Sequence, residues 1–275
     1  MSNNSEALYN ALKTRVHVMG ILNVTPDSFS DGGRFFSTEK AVVHAEQLIA
    51  EGADILDIGG ESTRPGAEPL TLKDELDRVL PVLRAIRKKS DIPISIDTYK
   101  AVVAKAALDE GADLINDISG MTMDEGIAEV AAQNDAPLVI MHIRGTPSQM
   151  QNNPSYDDVI NEVKQFLETQ CTKAQQMGAC KLIIDPGFGF GKRYEDNFTL
   201  LKNLRTFTAL GYPLMAGTSR KSFLGKAFDA PPTHRLEGTL ISNIYAVQQG
   251  ATLLRVHDVL SMKRALHIHQ MIETA

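Results

Sequence analysis

The segment EGADILDIGG (residues 51–60) carries the pattern that determines the fold. A helix-like stretch ends at Glu51-Gly52, and a short aliphatic run follows at once. A close copy, EGADLINDIS, stands at residues 110–119, and weaker copies of the junction begin at Met177 and at Gln249. Glycine suits the residue just beyond a helix end, where the backbone angle φ is positive. The chain therefore repeats one unit, a helix followed by a buried strand.

Short aliphatic runs recur along the whole chain. They lack strict polar–apolar alternation, which is typical of parallel strands that are buried on both faces. Helix-like segments such as residues 38–52, 72–90 and 159–178 separate them, and the runs between the glycine junctions contain Pro93, Pro137 and Pro213 near their starts. The predicted strands are residues 17–23, 54–60, 92–97, 113–118, 136–142, 181–187, 212–217 and 252–258.

This repetition predicts an α/β protein with a single closed (β/α)8 TIM barrel. In such barrels the active site lies at the C-terminal ends of the strands. We assign residues 17–275 to the barrel domain and residues 1–16 to an N-terminal extension. A doubly wound open sheet is the alternative. That fold normally carries phosphate-binding glycines after its first strand, and Gly20 stands alone there.

Composition narrows the classes of function. Hydrophobic residues form 43% of the 275 residues and charged residues 23%, which excludes a disordered chain or a coiled coil. The net charge of −6, without a basic run, argues against nucleic-acid and membrane partners. Cys171 and Cys180 form no C-x-x-C pair, which argues against a thiolate zinc site. With no signal-like N-terminus and no apolar run of spanning length, we expect a cytoplasmic protein.

Polar side chains gather at the predicted strand ends. A few aspartates there are expected to cap the following helices, and for Asp117 and Asp258 this capping role is as good an interpretation as a functional one. Capping does not account for the whole ring of polar residues, so the ring predicts an active site. Its members are Asn23, Asp57 with Glu61-Ser62-Thr63-Arg64, Asp97, Asn116-Asp117, His142, Asp185, Ser219-Arg220-Lys221, and Arg255 with His257.

The loops after the strands suggest a site for an anionic, flat ligand. GGESTRPG (59–66) offers backbone N–H groups and a guanidinium to an anion. DPGFGFGK (185–192) fails both glycine phosphate-binding patterns, so it is interpreted as a flexible wall that brings Phe188 or Phe190 over a ligand. In GTSRKSFLG (217–225), Lys221 is either a Schiff-base lysine or a hydrogen-bond donor. Arg255 and His257 share one face of a strand.

Taken together, these motifs resemble those of the dihydropteroate synthase family of folate biosynthesis. The resemblance runs from about residue 17 to the C-terminus. It rests on GILNVTPDSFSDGG, GGESTRPG, SIDT, NDI, DPGFGFGK, GTSRKSFLG and RVHD, which follow one another in the family's order. The resemblance implies that a dihydropterin pyrophosphate condenses with 4-aminobenzoate to give 7,8-dihydropteroate and pyrophosphate.

The resemblance also implies residue roles. Asp97, Lys221 and Arg255 are expected to be catalytic, and Asp97 to stabilise positive charge on the pterin as the C–O bond breaks. Mg²⁺ is the expected cofactor, with Asn23 as its ligand, and a homodimer is the expected assembly. The pterin contacts implied are Asp97, Asn116, Ile118, Met141, Asp185, Phe190 and Lys221; those to pyrophosphate are Asn23, Thr63, Arg255 and His257; those to 4-aminobenzoate are Phe29, Ser62, Thr63, Arg64, Pro65, Phe190, Lys221 and Ser222.

Three other functions stay open at this point. A corrinoid-linked methyltransferase domain shares the pterin-binding fold, but Arg255, His257 and the ESTRPG loop suit a pyrophosphate better. A non-catalytic pterin-binding relative is disfavoured by the intact Asn23, Asp97, Lys221 and Arg255. A Schiff-base aldolase is the interpretation of Lys221 that uses no family resemblance.

Overall fold

The structure is a computed structural model that describes residues 2–24, 34–62 and 68–275, with side chains from residue 5 onward and, after the first gap, from residue 38 onward. The predicted site residues Phe29, Thr63, Arg64 and Pro65 lie outside the described residues.

Eight parallel strands form one sheet, in the order β6-β5-β4-β3-β2-β1-β8-β7. A parallel bridge between Ile184 of β6 and Leu214, next to β7, closes the sheet into a barrel. The predicted TIM barrel is therefore confirmed. The strands are β1 His17–Asn23, β2 Ile55–Gly59, β3 Ile94–Asp97, β4 Leu114–Asp117, β5 Leu138–Met141, β6 Leu182–Asp185, β7 Met215–Ala216 and β8 Leu253–Val256.

Helices surround the barrel and connect its strands. They are α1 Ser2–Thr14, α2 Arg34–Ala50, α3 Leu72–Arg87, α4 Ala101–Asp109, α5 Gly126–Gln133, α6 Val159–Gln176, α7 Tyr194–Lys202, α8 Arg205–Thr208, α9 Ser222–Phe228, α10 Leu236–Gln248 and α11 Val259–Glu273, with a 3₁₀ turn at Pro232–His234 before α10. Among the described residues, no helix is long and apolar enough to cross a membrane.

The helix–strand junctions adopt the geometry that the sequence predicts. Gly52 and Gly111 follow helix ends with φ values of 97° and 98°, a region that L-residues with a side chain rarely occupy. The proline-containing runs give shorter strands than predicted. β3 and β5 begin one residue after Pro93 and Pro137, whose carbonyls accept from the Leu56 and Ile115 N–H groups although proline has no N–H to donate.

The core has an outer layer, between strands and helices, and an inner layer inside the barrel. Met19, Ile55, Leu114 and other inward-facing side chains fill the lower half of the barrel. The N-terminal extension forms α1, which buries Leu8, Tyr9 and Leu12 beneath this layer. The Tyr9 hydroxyl donates to the Leu182 carbonyl at 3.1 Å. Helix α1 thus closes the lower end of the barrel and leaves the polar strand ends at the other; the domain boundary at residue 16 stays a prediction.

Candidate active site

Every second strand residue points into the barrel, because side chains alternate along a strand. One step above the apolar layer, the inward positions of alternate strands are Asp57, Asn116, Asp185 and Arg255, each two residues after an inner-layer side chain. Asp97 continues the ring, and its Cα is paired with both Gly59 and Asn116 across the sheet. The period of two therefore converts scattered strand-end residues into one polar ring around the barrel axis.

Arg255 is the central contact of this ring. Its Nε donates to Asp57 Oδ2 at 2.6 Å, and its NH2 donates to Asp97 Oδ2 at 2.6 Å. Asn116 Nδ2 also donates to Asp57 Oδ2, at 3.2 Å. Burial opposes the charge on Arg255, but the carboxylates of Asp57 and Asp97 outweigh it and raise the pKa of the guanidinium. Arg255 is therefore a permanent cation that holds two carboxylates in place.

Asp97 is the most strongly perturbed carboxylate of the ring. Burial raises the pKa of Asp97 to about 7, against the pull of Arg255, and the nearby charges of Asp57 and Glu75 add to the rise. Asp97 is 8% exposed. A buried carboxyl group whose pKa lies near neutrality is typical of functional sites.

Three buried polar atoms beside Arg255 have no hydrogen-bond partner among the described residues. They are Asp57 Oδ1, Ser95 Oγ and Asn116 Oδ1, on three consecutive strands. Buried polar atoms are almost always hydrogen-bonded in folded proteins. Their clustering on one side of the ring indicates a surface that is complementary to a polar ligand edge.

Asp185 and Lys221 lie across the ring from Asp57. Burial raises the pKa of Asp185 to about 6, although the Gly187 N–H donates to its Oδ1 at 2.7 Å. Burial, with Arg255 nearby, lowers the pKa of Lys221 to about 8. Lys221 Nζ lies 4.0 Å from the centroid of the Phe190 ring, a cation–π distance. A carboxyl group and an ammonium group thus face the site together.

The apolar wall of the site is made by Ile118, Met141 and Phe190, which pack with Ile143 and Met150. Of the two phenylalanines proposed for this wall, only Phe190 belongs to it. Phe188 is 1% exposed and its ring is stacked on Phe223, with centroids 6.3 Å apart. The wall offers a flat apolar surface beside the polar ring, which suits a planar heteroaromatic ligand.

Lys192 holds the loop that carries Phe190. Its Nζ lies 3.0 Å from the Gly187 carbonyl, 2.9 Å from the Phe190 carbonyl and 2.8 Å from His142 Nδ1. A Cβ atom on Gly187 would lie 1.9 Å from the His142 carbonyl, so the loop approaches β5 closely. The loop was predicted to be a flexible wall. In the structure, the hydrogen bonds of Lys192 hold it in place.

His142 supports this loop through its contact with Lys192. Burial, with Lys192 close by, lowers the pKa of His142 to about 2, so the ring is neutral and accepts from the ammonium. Burial in turn lowers the pKa of Lys192 to about 7. The sequence pointed to His142 as a strand-end residue, but only the structure reveals this support role.

Asn23, His257 and Ser222 lie toward the opening of the site. His257 is half-buried, and burial together with Arg255 lowers its pKa to about 3. The Ser219 hydroxyl lies 3.0 Å from His257 Nδ1 and accepts from the His257 backbone N–H at 3.2 Å. If the hydroxyl donates to Nδ1, the neutral ring keeps its proton on Nε2 and presents it as a donor. Asn23 is half-buried and Ser222 exposed, at the start of α9.

The strand-end aspartates Asp117 and Asp258 contact the loops that follow the strands. Asp117 accepts from the Ser119 and Met121 backbone N–H groups at 2.7 and 2.6 Å, so it caps the turn after β4. Asp258 stands at the N-cap of α11, but its side chain makes no capping hydrogen bond. Neither side chain caps the following helix, because Asp117 caps the turn after β4 and Asp258 pairs with Arg220.

A metal ion at this site would rely on few protein ligands. The described ranges contain no group of three or more His, Cys, Asp or Glu side chains that could hold a metal ion. Mg²⁺ differs from zinc in this respect, because it commonly keeps water and takes phosphate oxygens from a substrate. The half-buried amide of Asn23 fits such a ligand set.

Three members of the site had no role predicted from the sequence. Asp57 was noted as a strand-end residue without a role, yet it is the fully buried partner of Arg255. Ser95 lies two residues before Asp97, so the period of two would have placed it in the barrel. Lys192 carried no signal beyond its position at the end of the glycine-rich loop.

Comparisons with known proteins agree with this geometry. The chain matches the model of the pterin binding enzyme family over residues 19–257. It is 51% identical to the dihydropteroate synthase of Synechocystis sp. over 90% of this chain and 87% of that protein. It is similar to the Xanthomonas albilineans dihydropteroate synthase solved with 4-aminobenzoic acid, with a TM-score of 0.90, 44% identity and coverage of 95% and 94% of the two chains. It is also similar to that synthase in complex with 7,8-dihydropteroate, with a TM-score of 0.86, 41% identity and 95% coverage of both chains.

Proposed function

The chain belongs to the dihydropteroate synthases of the pterin-binding enzyme family, and on that premise we propose that it condenses 6-hydroxymethyl-7,8-dihydropterin pyrophosphate with 4-aminobenzoate. The products are 7,8-dihydropteroate and pyrophosphate, which makes the enzyme a transferase of folate biosynthesis. The single observation that carries the proposal is the buried Arg255–Asp57–Asp97 arrangement beside unpartnered Asn116 and Ser95 oxygens. It offers polar contacts to one flat ligand edge and a cation above it.

The pterin is recognised through its polar edge and its flat faces. The aminopyrimidine edge donates hydrogen bonds, which the oxygens of Asp97, Asn116 and Asp185 accept. Lys221 donates to the ring carbonyl, since its ammonium lies beside Phe190 at the same side of the site. Met141, Ile118 and Phe190 cover the ring faces. Such a site is rigid, because Arg255 and Lys192 already fix its two sides.

The pyrophosphate lies toward the opening, where Arg255 and His257 donate from adjacent inward positions of β8 and its loop. Thr63, outside the described residues, adds a further donor. Asn23 binds Mg²⁺, which neutralises charge on the pyrophosphate when bound and so makes it a better leaving group. His257 contributes as a neutral N–H donor, in keeping with its lowered pKa.

The 4-aminobenzoate binds last, over the pterin. Phe190, Lys221 and Ser222 form one side of its pocket. The proposed remainder is Phe29, Ser62, Thr63, Arg64 and Pro65 of the first two loops. The Ser222 hydroxyl is exposed at the start of α9, where it contacts the substrate's carboxylate.

The reaction proceeds by bond breaking first. The C–O bond to pyrophosphate breaks with its electron pair leaving on oxygen, and a cationic pterin remains. Asp97, in its ionised form, stabilises that cation. The aromatic amine then forms the C–N bond and releases a proton. The amine is a sufficient nucleophile by itself, so the site needs no strong general base.

The protein acts as a homodimer through the outer face of α10 and α11. Ile241 on α10 and Ile268, Met271 and Ile272 on α11 are between 56% and 73% exposed. The spacing of three or four residues places Ile268, Met271 and Ile272 on one face of α11, and α10 packs beside α11. Exposed apolar side chains clustered in this way are typical of an interface. Light scattering should find a dimer that Ile241→Glu with Ile272→Glu converts to a monomer; a wild-type monomer would contradict the assembly.

An endpoint assay tests the function. Purified protein, Mg²⁺, the pterin pyrophosphate and 4-aminobenzoate should yield dihydropteroate and pyrophosphate in equal amounts. A corrinoid-linked methyltransferase would release no pyrophosphate, and a Schiff-base aldolase would be trapped by borohydride with a carbonyl substrate. The absence of dihydropteroate with a folded wild-type protein would overturn the proposal.

A further inference from the structure

Two loops meet beside the active site, the loop after β7 and the loop after β8, and an ion pair joins them. Arg220 Nε donates to Asp258 Oδ2 at 2.9 Å, and Arg220 NH2 donates to Asp258 Oδ1 at 2.5 Å. The pairing is a two-point fork, which fixes direction as well as distance. Arg220 immediately precedes Lys221, and Asp258 immediately follows His257. The pair therefore flanks two side chains of the proposed substrate site.

Arg220 holds a backbone conformation that its residue type disfavours. A β-turn spans Thr218 to Lys221, closed by a Lys221 N–H to Thr218 carbonyl hydrogen bond at 3.2 Å. Arg220 is the third residue of this turn and has a φ of 55°. Glycine is the usual residue at a positive φ in that position. Strained backbone angles that persist in a folded protein cluster at functional sites.

This conformation separates the two adjacent cations. Lys221 points inward over Phe190, while the Arg220 side chain reaches Asp258 on the neighbouring loop. The Arg220 N–H donates to Thr239 Oγ1 at 3.0 Å, and its carbonyl accepts from Arg235 NH1 at 2.9 Å. The turn is thus held on both sides of its strained residue, so Lys221 emerges in one direction.

The side chain of Asp258 likewise does not cap the helix at whose N-terminus it stands. It stands at the N-cap of α11, where an aspartate normally accepts from the first backbone N–H groups of the helix. Its side chain makes no such bond and accepts from Arg220 instead. Both partners therefore adopt locally unfavourable arrangements. What these two arrangements have in common is that they allow the ion pair that links the two loops.

We propose that the Arg220–Asp258 pair is a positioning device that sets the distance between Lys221 and His257. Lys221 serves the pterin carbonyl and His257 the pyrophosphate, so the pair aligns the donors to the two fragments that separate when the C–O bond breaks. The Ser219–His257 hydrogen bond forms a parallel link one residue closer to the site. Arg220 and Asp258 are positioning residues, since neither side chain is assigned to the substrate. This inference rests on the proposed synthase function.

The test exploits the opposite effects expected on stability and on activity. The substitutions Arg220→Gly and Asp258→Asn relieve the strained turn and restore a capping side chain, singly and together. The double variant should keep or exceed the wild-type melting temperature. Its kcat should fall about 10- to 100-fold, as expected for a misplaced donor, with KM for 4-aminobenzoate little changed. Asp229→Gly is the matched control: Asp229 has a φ of 51° and is exposed, so activity should be unchanged.

Each other outcome overturns the inference. Wild-type kcat in the double variant would show that the pair is dispensable. A parallel fall of melting temperature and kcat would reduce the pair to ordinary structural support. Loss of kcat in Arg220→Gly with wild-type kcat in Asp258→Asn would mean that Arg220 acts on the ligand itself. If the wild-type protein forms no dihydropteroate, the proposed function itself is contradicted. That result differs from the three outcomes above, which all require an active wild type.

Discussion

Replacing Asp97 by asparagine tests the central step of the proposed reaction. The variant keeps the size of the side chain and part of its hydrogen bonding, but removes the charge that would stabilise a cationic pterin. Asp97 Oδ2 accepts from Arg255 at 2.6 Å, and only 8% of the residue is exposed. Hydrogen bonds to charged groups contribute about 1.5–3 kcal/mol. At about 1.36 kcal/mol per factor of ten, kcat should fall roughly 10- to 150-fold, with a smaller effect on KM.

The pH profile gives a second signature of the same residue. The pKa of Asp97 is raised to about 7, and the ionised form is the one that stabilises a cation. Wild-type kcat/KM should therefore rise with pH up to about 7 and level off above it. Asparagine has no ionisation, so the variant should lose this rise. An unchanged acidic limb in Asp97→Asn would assign the limb to another group.

The assay that decides the mechanism omits 4-aminobenzoate. Excess enzyme is mixed with Mg²⁺ and the pterin pyrophosphate, and released pyrophosphate is measured. If the C–O bond breaks first, the wild type should release pyrophosphate and Asp97→Asn should release it slowly. Direct displacement predicts no release by either protein. Wild-type release and turnover in the variant would leave Asp97 with a structural role only.

Asp117→Asn is the matched control for this experiment. Asp117 is also a fully buried aspartate at a strand end, and burial raises its pKa to about 6. Its oxygens accept from backbone N–H groups of the turn after β4. The control should lower the melting temperature while kcat stays near the wild-type value. An equal loss of kcat in both variants would show that any buried carboxylate at this level is needed.

Three further predictions concern the same site. Lys221→Ala should reduce kcat/KM by about 2–4 kcal/mol of transition-state free energy, and Arg255→Ala should in addition lower the free energy of unfolding by about 3–5 kcal/mol, because it leaves Asp57 and Asp97 as unpaired buried charges. Wild-type kinetics in both variants would show that the active site lies elsewhere. Asn23→Ala should shift the Mg²⁺ titration of activity to higher concentration with the melting temperature unchanged; coincident curves would remove Asn23 from the metal site. Lys192→Met should lower the free energy of unfolding by about 1–3 kcal/mol, measured by urea denaturation, and raise KM for the pterin substrate, measured by steady-state kinetics. An unchanged KM would show that the loop does not contribute to pterin binding.

The fold was predictable because its determinants are local. The Gly52 and Gly111 junctions each specify a helix end and a strand start within a few residues, and both adopt the expected positive φ. The strand beginnings were less predictable. Pro93 and Pro137 join the ladder through their carbonyls alone, because proline has no N–H to donate, and the strands are assigned only from the next residue.

The candidate site was predictable in its residues but not in their partners. Asp97, Asn116, Asp185 and Arg255 stand at strand ends, and the period of two brings them together. Asp57 stands at an equivalent position, but its bond to Arg255 joins residues that are 198 positions apart. Such a pairing depends on how the barrel closes between β1 and β8, which no local pattern encodes.

Helix α1 closes one end of the barrel, and this closure bears on the order in which the two substrates bind. Because Leu8, Tyr9 and Leu12 close the lower end of the barrel beneath Met19 and its neighbours, the described residues leave the proposed site open only toward the C-terminal ends of the strands. A ligand bound against Asp57 and Asn116 can reach that depth only while the mouth is empty. We therefore expect the pterin substrate to bind before 4-aminobenzoate, and the product to leave with its pterin end last. A molecule at the proposed 4-aminobenzoate position should then slow the release of a ligand bound beneath it.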